Sequence, residues 1–249
     1  MTIDFSKSRF NNLDPIILLH GWGMSASVFQ SLEKKLSGCR QTICVDLPGY
    51  EGNPWQAGLS FEDQAASIAA RLPGGILIGW SMGGLYATEI ARQNPGRFTQ
   101  LILVCSNPCF VHRADWQCAV KESVFNAFSD DLANGWSATI RRFLSLQMLG
   151  DKKARALLRG LVKNIEAASE PDADALRYGL DLLKVYDGRA ALAEIDTPVK
   201  MVLGERDVLV PVSLAKEILK VNPQIRVELI ASAAHAPFLS HPDHFISLI

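Results

Sequence analysis

GGILIGWSMGG, residues 74–84, is the stretch on which the reading of the fold turns. Its first half is a short continuous apolar run, the pattern of a strand covered on both faces. From Met82 to Asn94 the pattern becomes helical. Between the two lies Gly79-Trp80-Ser81-Met82-Gly83, a G-x-S-x-G sequence at a strand-to-helix turn. So sharp a turn holds its central residue in a strained conformation. It needs glycine on both sides because neighbouring backbone passes where a side chain would clash. The strain exposes Ser81 Oγ, and the helix N-terminus adds positive partial charge beside it. A chance glycine-rich turn is the alternative; the strand before, the helix after and the further Gly84 count against it.

Five more apolar runs repeat the strand signal: PIILLH (15–20), QTICVD (41–46), QLILVC (100–105), PVKMVLG (198–204) and IRVELI (225–230). Helical patterns at Ser27–Ser37, Ser60–Leu72 and Val212–Val221 lie between strands. This alternation predicts an α/β fold with a doubly wound, mostly parallel sheet. It lapses between about Cys109 and Ala190, so the expected division is a core of residues 1–109 and 191–249 with a helical insertion at 110–190. Trp116, Val120, Val124 and Phe128 step by four there, as do Leu132, Trp136 and Ile140, with Phe143 following. Asp130-Asp131 and Gly150-Asp151 read as the breaks between helices. A helical block inserted after one strand suits a lid over the strands' carboxyl ends, where open sheets bind ligands; extra packing helices are the plainer alternative.

Composition sets the outer limits. The 249 residues are 48% hydrophobic and 20% charged, enough to bury a large single-domain core and unlike a disordered chain. No apolar run approaches the ~20 residues of a membrane span. A net charge of -1 gives no general attraction to nucleic acid. MTIDFSKSRF lacks the pattern of a secretory signal. Five cysteines, with no Cys-x-x-Cys, suit neither a disulfide scaffold nor a structural zinc site. The expectation is a cytoplasmic monomer without metal or cofactor.

A serine hydroxyl needs a base to become a useful nucleophile. His235, in Ala-Ala-His-Ala-Pro, and Asp207, in Gly-Glu-Arg-Asp, each follow a predicted strand, the same sheet edge as Ser81. Glu205 competes for the acid's place. His20-Gly21-Trp22-Gly23 follows the first long strand; its glycines allow a close approach, and His20 reads as a structural histidine that orients the loop. His241 and His244 could share a metal, but no third ligand stands out. Cys105 and Cys109 read more simply as core residues than as nucleophiles.

These features together resemble the α/β-hydrolases, in which the triad follows the order Ser, Asp, His. More narrowly, LLHGWGMSASVF (18–29), VDLPGY (45–50), GWSMGGL (79–85), SNPCF (106–110), RRFLSLQMLG (141–150) and AAHAPFLSHP (233–242) resemble the pimeloyl-acyl-carrier-protein methyl ester carboxylesterases of biotin synthesis. Glu51-Gly52 departs from that pattern in one surface loop. The resemblance implies a catalytic triad of Ser81, Asp207 and His235 and an oxyanion site at the Trp22 and Met82 amides. It further implies an acyl channel lined by Phe143, Leu144, Ser145, Leu146 and Gln147, with Trp22 opposite, and no cofactor. Its partner would be an acidic acyl carrier protein. Between Ile140 and Lys163, Arg141, Arg142, Lys152, Lys153, Arg155, Arg159 and Lys163 stand against the single acid Asp151. Such a stripe can be a solvated helix face; the resemblance makes Arg142, Arg155 and Arg159 the carrier-protein dock. Rivals are a broad short-chain esterase or carbon–carbon bond hydrolase of the same fold and, in another class, a non-catalytic ligand-binding module.

Overall fold

The computed structural model describes residues 13–249 except 134 and 168; at 133, 158, 159, 161 and 164–167 only the backbone is described. Six strands form one sheet: β1 (Ile16–Leu19), β2 (Thr42–Val45), β3 (Gly75–Trp80), β4 (Phe98–Val104), β5 (Val199–Gly204) and β6 (Arg226–Ile230). Their order is β2-β1-β3-β4-β5-β6, and every pairing is parallel. All six expected runs contain strands; β4 begins two residues before its run, at Phe98, and the others differ by no more than a residue at either end. The four residues of β1 are fully buried although successive side chains point to opposite faces. Both faces of the sheet are therefore covered, which explains why these runs are continuously apolar.

The cover comes from two groups of helices. α2 (Phe61–Ala69), α3 (Met82–Gln93), α8 (Arg189–Ala193) and α9 (Leu214–Val221) pack in succession, α2 on α3, α3 on α8, α8 on α9. α1 (Gln30–Leu36) packs on α10 (Pro237–Ser240), and α10 on α11 (Pro242–Ser247). Ser60 caps α2 by accepting the Asp63 N–H at 3.0 Å. The chain runs outward from β1 to β2 on one side and from β3 to β6 on the other. The change of direction opens a crevice between the carboxyl ends of β1 and β3.

Between β4 and β5 stand α4 (Glu122–Ala133), α5 (Trp136–Gln147), α6 (Lys152–Ala167) and α7 (Ala173–Val185), before α8. Two expectations fail here. Trp116 and Val120 are not helical: Val111 bridges Val120, and Arg113 and Trp116 exchange both backbone hydrogen bonds at 3.0 Å. The Trp116 indole donates to Asn107 Oδ1 at 3.0 Å, which fixes the turn independently of any helical face. Asp130-Asp131 also breaks nothing, because both lie inside α4. The break falls at Gly135, whose φ of 138° suits glycine alone. The other signal holds: Asp151 Oδ1 accepts the Lys153 and Ala154 N–H groups at 2.9 and 3.0 Å and caps α6. No helix among the described residues is long and apolar enough to cross a membrane.

Candidate active site

Ser81 stands where β3 passes into α3, with φ 55° and ψ −122°. For a side chain bearing a Cβ this is a strained conformation, held here by close packing. A Cβ added at Gly79 would lie 2.4 Å from the Gly83 carbonyl oxygen, and one at Gly83 would lie 2.3 Å from that of Leu19. The two glycines flanking the serine are therefore demanded by backbone on either side. Ser81 N–H donates to Val104 O at 2.9 Å, which ties the turn to the neighbouring strand.

Register brings the other strand ends level with it. Gly204 pairs with Ile230, so the loops after β5 and β6 leave the sheet side by side. They carry Asp207 and His235. His235 Nε2 lies 2.9 Å from Ser81 Oγ, and Nδ1 lies 2.7 Å from Asp207 Oδ2. The other Asp207 oxygen accepts the Leu209 and Val210 N–H groups at 2.8 and 3.0 Å, so the carboxylate cannot swing away. With Asp207 on Nδ1, that nitrogen is the donor and Nε2 is left to accept the serine proton. Glu205 does not compete: it accepts the Ser232 N–H at 2.8 Å from an exposed position.

The loop after β1 closes against the serine. A methyl group at Gly21 would lie 3.2 Å from Ser81 Cβ. His20 is fully buried; its Nδ1 donates to Gly21 O at 2.9 Å while Nε2 accepts the Leu47 N–H at 3.0 Å. Burial lowers its pKa to about 4, against the Gly21 hydrogen bond, so it orients the loop as a neutral imidazole. Among the described residues, the backbone N–H groups of Trp22 and Met82 donate to no carbonyl. They are free to meet an oxyanion beside Ser81.

The inserted helices cover this floor. The Trp22 indole meets the Phe143 ring edge-on at 5.0 Å, and its Nε1–H donates to Leu176 O on α7 at 2.8 Å. Gly179, one turn along α7, leaves the space that Trp22 and Met82 fill; a Cβ there would lie 2.6 Å from the indole and 3.1 Å from the Met82 sulfur. Ser81 is 2% exposed beneath this cover. Of the expected channel residues, Phe143, Leu144 and Gln147 are buried and Leu146 is half-buried against the core. Ser145 corrects the list: it is exposed on the far side of α5, with its hydroxyl on Arg141 O at 2.7 Å. A helix cannot turn five consecutive residues to one side.

Arg155 is exposed on α6, as are Lys152 and Lys153. Arg142 is exposed but engaged, pairing with Asp131 and lying over the Phe128 ring at 5.5 Å. The Arg159 side chain lies outside the described residues. His241 turns Nδ1 toward Ser240 Oγ at 2.8 Å, and among the described residues neither it nor His244 belongs to a group of three metal-ligand donors.

Two features escaped the sequence reading. Cys105, at the end of β4, brings its thiol within 4.8 Å of the donor atoms of Asp207 and His235. Burial, with the Asp207 charge adding, pushes that thiol well above its ordinary pKa, so it stays protonated. Gln147 is buried with both side-chain polar atoms lacking a hydrogen-bond partner. Its only sequence signal was its place in the expected channel.

Similarity to known proteins agrees with the fold. By structure, the chain is similar to an esterase from Exiguobacterium antarcticum, with a TM-score of 0.82 at 21% identity over 94% of this chain and 90% of that one. It is similar to a bromoperoxidase from Bacillus anthracis, with a TM-score of 0.82 at 18% identity over 96% and 91%. An enol-lactonase from Burkholderia xenovorans LB400 superimposes with a TM-score of 0.79 at 15% identity over 97% and 91%. At these identities the likeness is one of fold. The sequence profile described as the alpha/beta hydrolase family matches residues 16–247, and the chain belongs to that family.

Proposed function

We propose that the protein is a serine carboxylesterase that removes the methyl group from a pimeloyl chain carried on an acyl carrier protein, in biotin synthesis. The observation that carries the reading is the continuous line Ser81 Oγ, His235, Asp207, joined at 2.9 and 2.7 Å. Ser81 attacks the ester carbonyl while His235 Nε2 takes its proton; Asp207 holds the imidazole and stabilises its charged form. The Trp22 and Met82 amides receive the oxyanion. Methanol leaves with the proton from His235, and water then hydrolyses the acyl-enzyme by the same route. No step calls for a cofactor.

Three features support the finer substrate. The motifs GWSMGG, SNPCF and AHAPFLSHP are narrower than the triad itself. The buried Trp22 and Phe143 rings suit a methylene chain, and the unpartnered Gln147 carboxamide suits a polar end of it. The exposed Lys152, Lys153 and Arg155 suit an acidic carrier, with Arg142 held partly in check by Asp131.

One two-substrate experiment tests the reading. Ser81→Ala should remove several powers of ten of kcat on both p-nitrophenyl butyrate and the carrier-linked methyl ester. Arg155→Glu combined with Lys152→Glu should lower kcat/KM on the carrier-linked ester alone. Retention of a tenth of the wild-type rate by the alanine variant would remove Ser81 from the nucleophile's role. Equal losses on both substrates in the charge-reversed variant would remove the carrier dock.

A further inference from the structure

The turn between α5 and α6 touches both loops that complete the triad. Gln147 O, at the end of α5, accepts the His235 N–H at 3.1 Å. Gly150 O accepts from Arg206 Nη1 at 2.9 Å, next to Asp207. Asp151 does more. Its carboxylate is 2% exposed and divides its two oxygens between different parts of the molecule. Oδ1 caps α6 through the Lys153 and Ala154 N–H groups, and Oδ2 accepts the Ala234 N–H at 3.3 Å. Oδ2 also lies 3.9 Å from His241 Nδ1.

Nothing in the reaction requires an acid at this place, and helix capping alone does not require its burial. Burial by itself would raise the carboxyl's pKa, but hydrogen bonds from Ser240, Ala154 and Ala234 outweigh it, and the group stays charged. A buried charge held in this way fixes the backbone atoms around it more firmly than a neutral acceptor would.

We propose that Asp151 is a positioning residue for the base, its carboxylate joining the first turn of α6 to the loop that carries His235. The proposal rests on the catalytic reading of Ser81 and His235. Ala234 immediately precedes His235, and the loop has little slack on its other side. A Cβ at Gly204 would lie 2.1 Å from Ala234 O, so the acid-bearing and base-bearing loops already touch. With Oδ2 gone, the Ala234 amide loses its acceptor inside the protein, and the imidazole loses one of the ties that hold it between Ser81 and Asp207. A displacement of a few tenths of an ångström there affects proton transfer, and substrate binding much less.

Asp151→Asn and Asp151→Ala, in the full chain, separate this role from helix capping. Asparagine is as good a cap as aspartate, so its oxygen serves Lys153 and Ala154, but its NH2 cannot accept from Ala234. The expected result for Asp151→Asn is a near-unchanged melting temperature and a kcat on p-nitrophenyl butyrate lower by about tenfold per active site, with KM little altered. Active sites are counted by labelling Ser81 with diisopropyl fluorophosphate. The low-field proton resonance of the His235–Asp207 hydrogen bond should also move. Asp151→Ala should lose both stability and kcat. If Asp151→Asn keeps the wild-type kcat per labelled site and the proton resonance stays in place, Asp151 is a helix cap only. If the wild type neither hydrolyses the ester nor takes the label while the resonance still moves in Asp151→Asn, the esterase reading falls and the positioning of His235 stands.

Discussion

Replacing Gly83 with alanine puts a methyl carbon 2.3 Å from Leu19 O and 2.5 Å from His20 O. Both obstacles are backbone, one in β1 and one just past it, so neither can rotate out of the way. A carbon and an oxygen rest comfortably at about 3.3 Å, and the start of α3 must therefore retreat by roughly 1 Å. Ser81 sits one residue before that helix and moves with it. Its hydroxyl, now 2.9 Å from His235 Nε2, passes beyond hydrogen-bonding reach at a shift of well under an ångström. A misplacement of that size costs about a hundredfold in rate. Overpacking of this kind also costs about 1–3 kcal/mol of stability, or a melting point lower by about 2–12 °C in a chain of this size. Gly160→Ala is the control: the same methyl group meets nothing within 4 Å on α6. It should gain up to about 1 kcal/mol from helix propensity and leave activity unchanged. The assay is kcat/KM on p-nitrophenyl butyrate beside a thermal melt for each variant. A Gly83→Ala enzyme within about threefold of wild type, with an unchanged melting point, would refute the claim that backbone contact fixes the serine turn.

Two further outcomes follow from buried groups. Desolvation lowers the pKa of His20 from its ordinary 6.5 to about 4 in the folded protein. The unfolded chain thus binds a proton that the folded one refuses, so its contribution is full above pH 6.5 and is lost as pH falls toward 4, by about 3 kcal/mol. His20→Gln should flatten the acid limb of melting temperature against pH, and an identical limb in that variant would contradict the assignment. Ellman's reagent at pH 8 should find one fast thiol in the native protein: Cys39 is exposed, Cys44 is half-buried with its pKa raised to about 12 by burial and the nearby Glu33 and Asp46, and Cys105, Cys109 and Cys118 are buried. Rapid reaction at Cys105 would mean that the region around Asp207 is open to solvent.

The sheet was legible because strands buried on both faces announce themselves without reference to anything distant. Ile16–Leu19 and Leu101–Val104 are apolar at every position for that reason. The serine turn was legible because its glycines answer to local sterics, and His235 and Asp207 because each closely follows a recognisable strand. What stayed hidden depends on partners far along the chain. A period-four run through Trp116 and Val120 reads as helix until Asn107 claims the Trp116 indole. Arg142 reads as a free cation until α4 brings Asp131 against it. Asp151 reads as a helix start, which it is; its second oxygen finds Ala234, 83 residues later. Ser145 was misplaced because a contiguous motif ignores the roughly 100° that separate neighbours on a helix.

The insertion between β4 and β5 also has a consequence in time. Ser81 meets His235 across 154 residues, so the nucleophile leaves the ribosome long before the base exists. Strand β4 is complete at Val104, and its second pairing partner, β5, begins only at Val199. Synthesis of the roughly hundred residues between them takes about 5–20 s at ordinary rates. For that interval the nascent sheet ends at β4, whose one edge can pair with β3 while the other stands open, and whose last four residues are all destined for the core. Such an edge is a template for wrong pairing until β5 arrives. The helices that cover Ser81 therefore also set how long the half-built sheet stands open before β5 completes it.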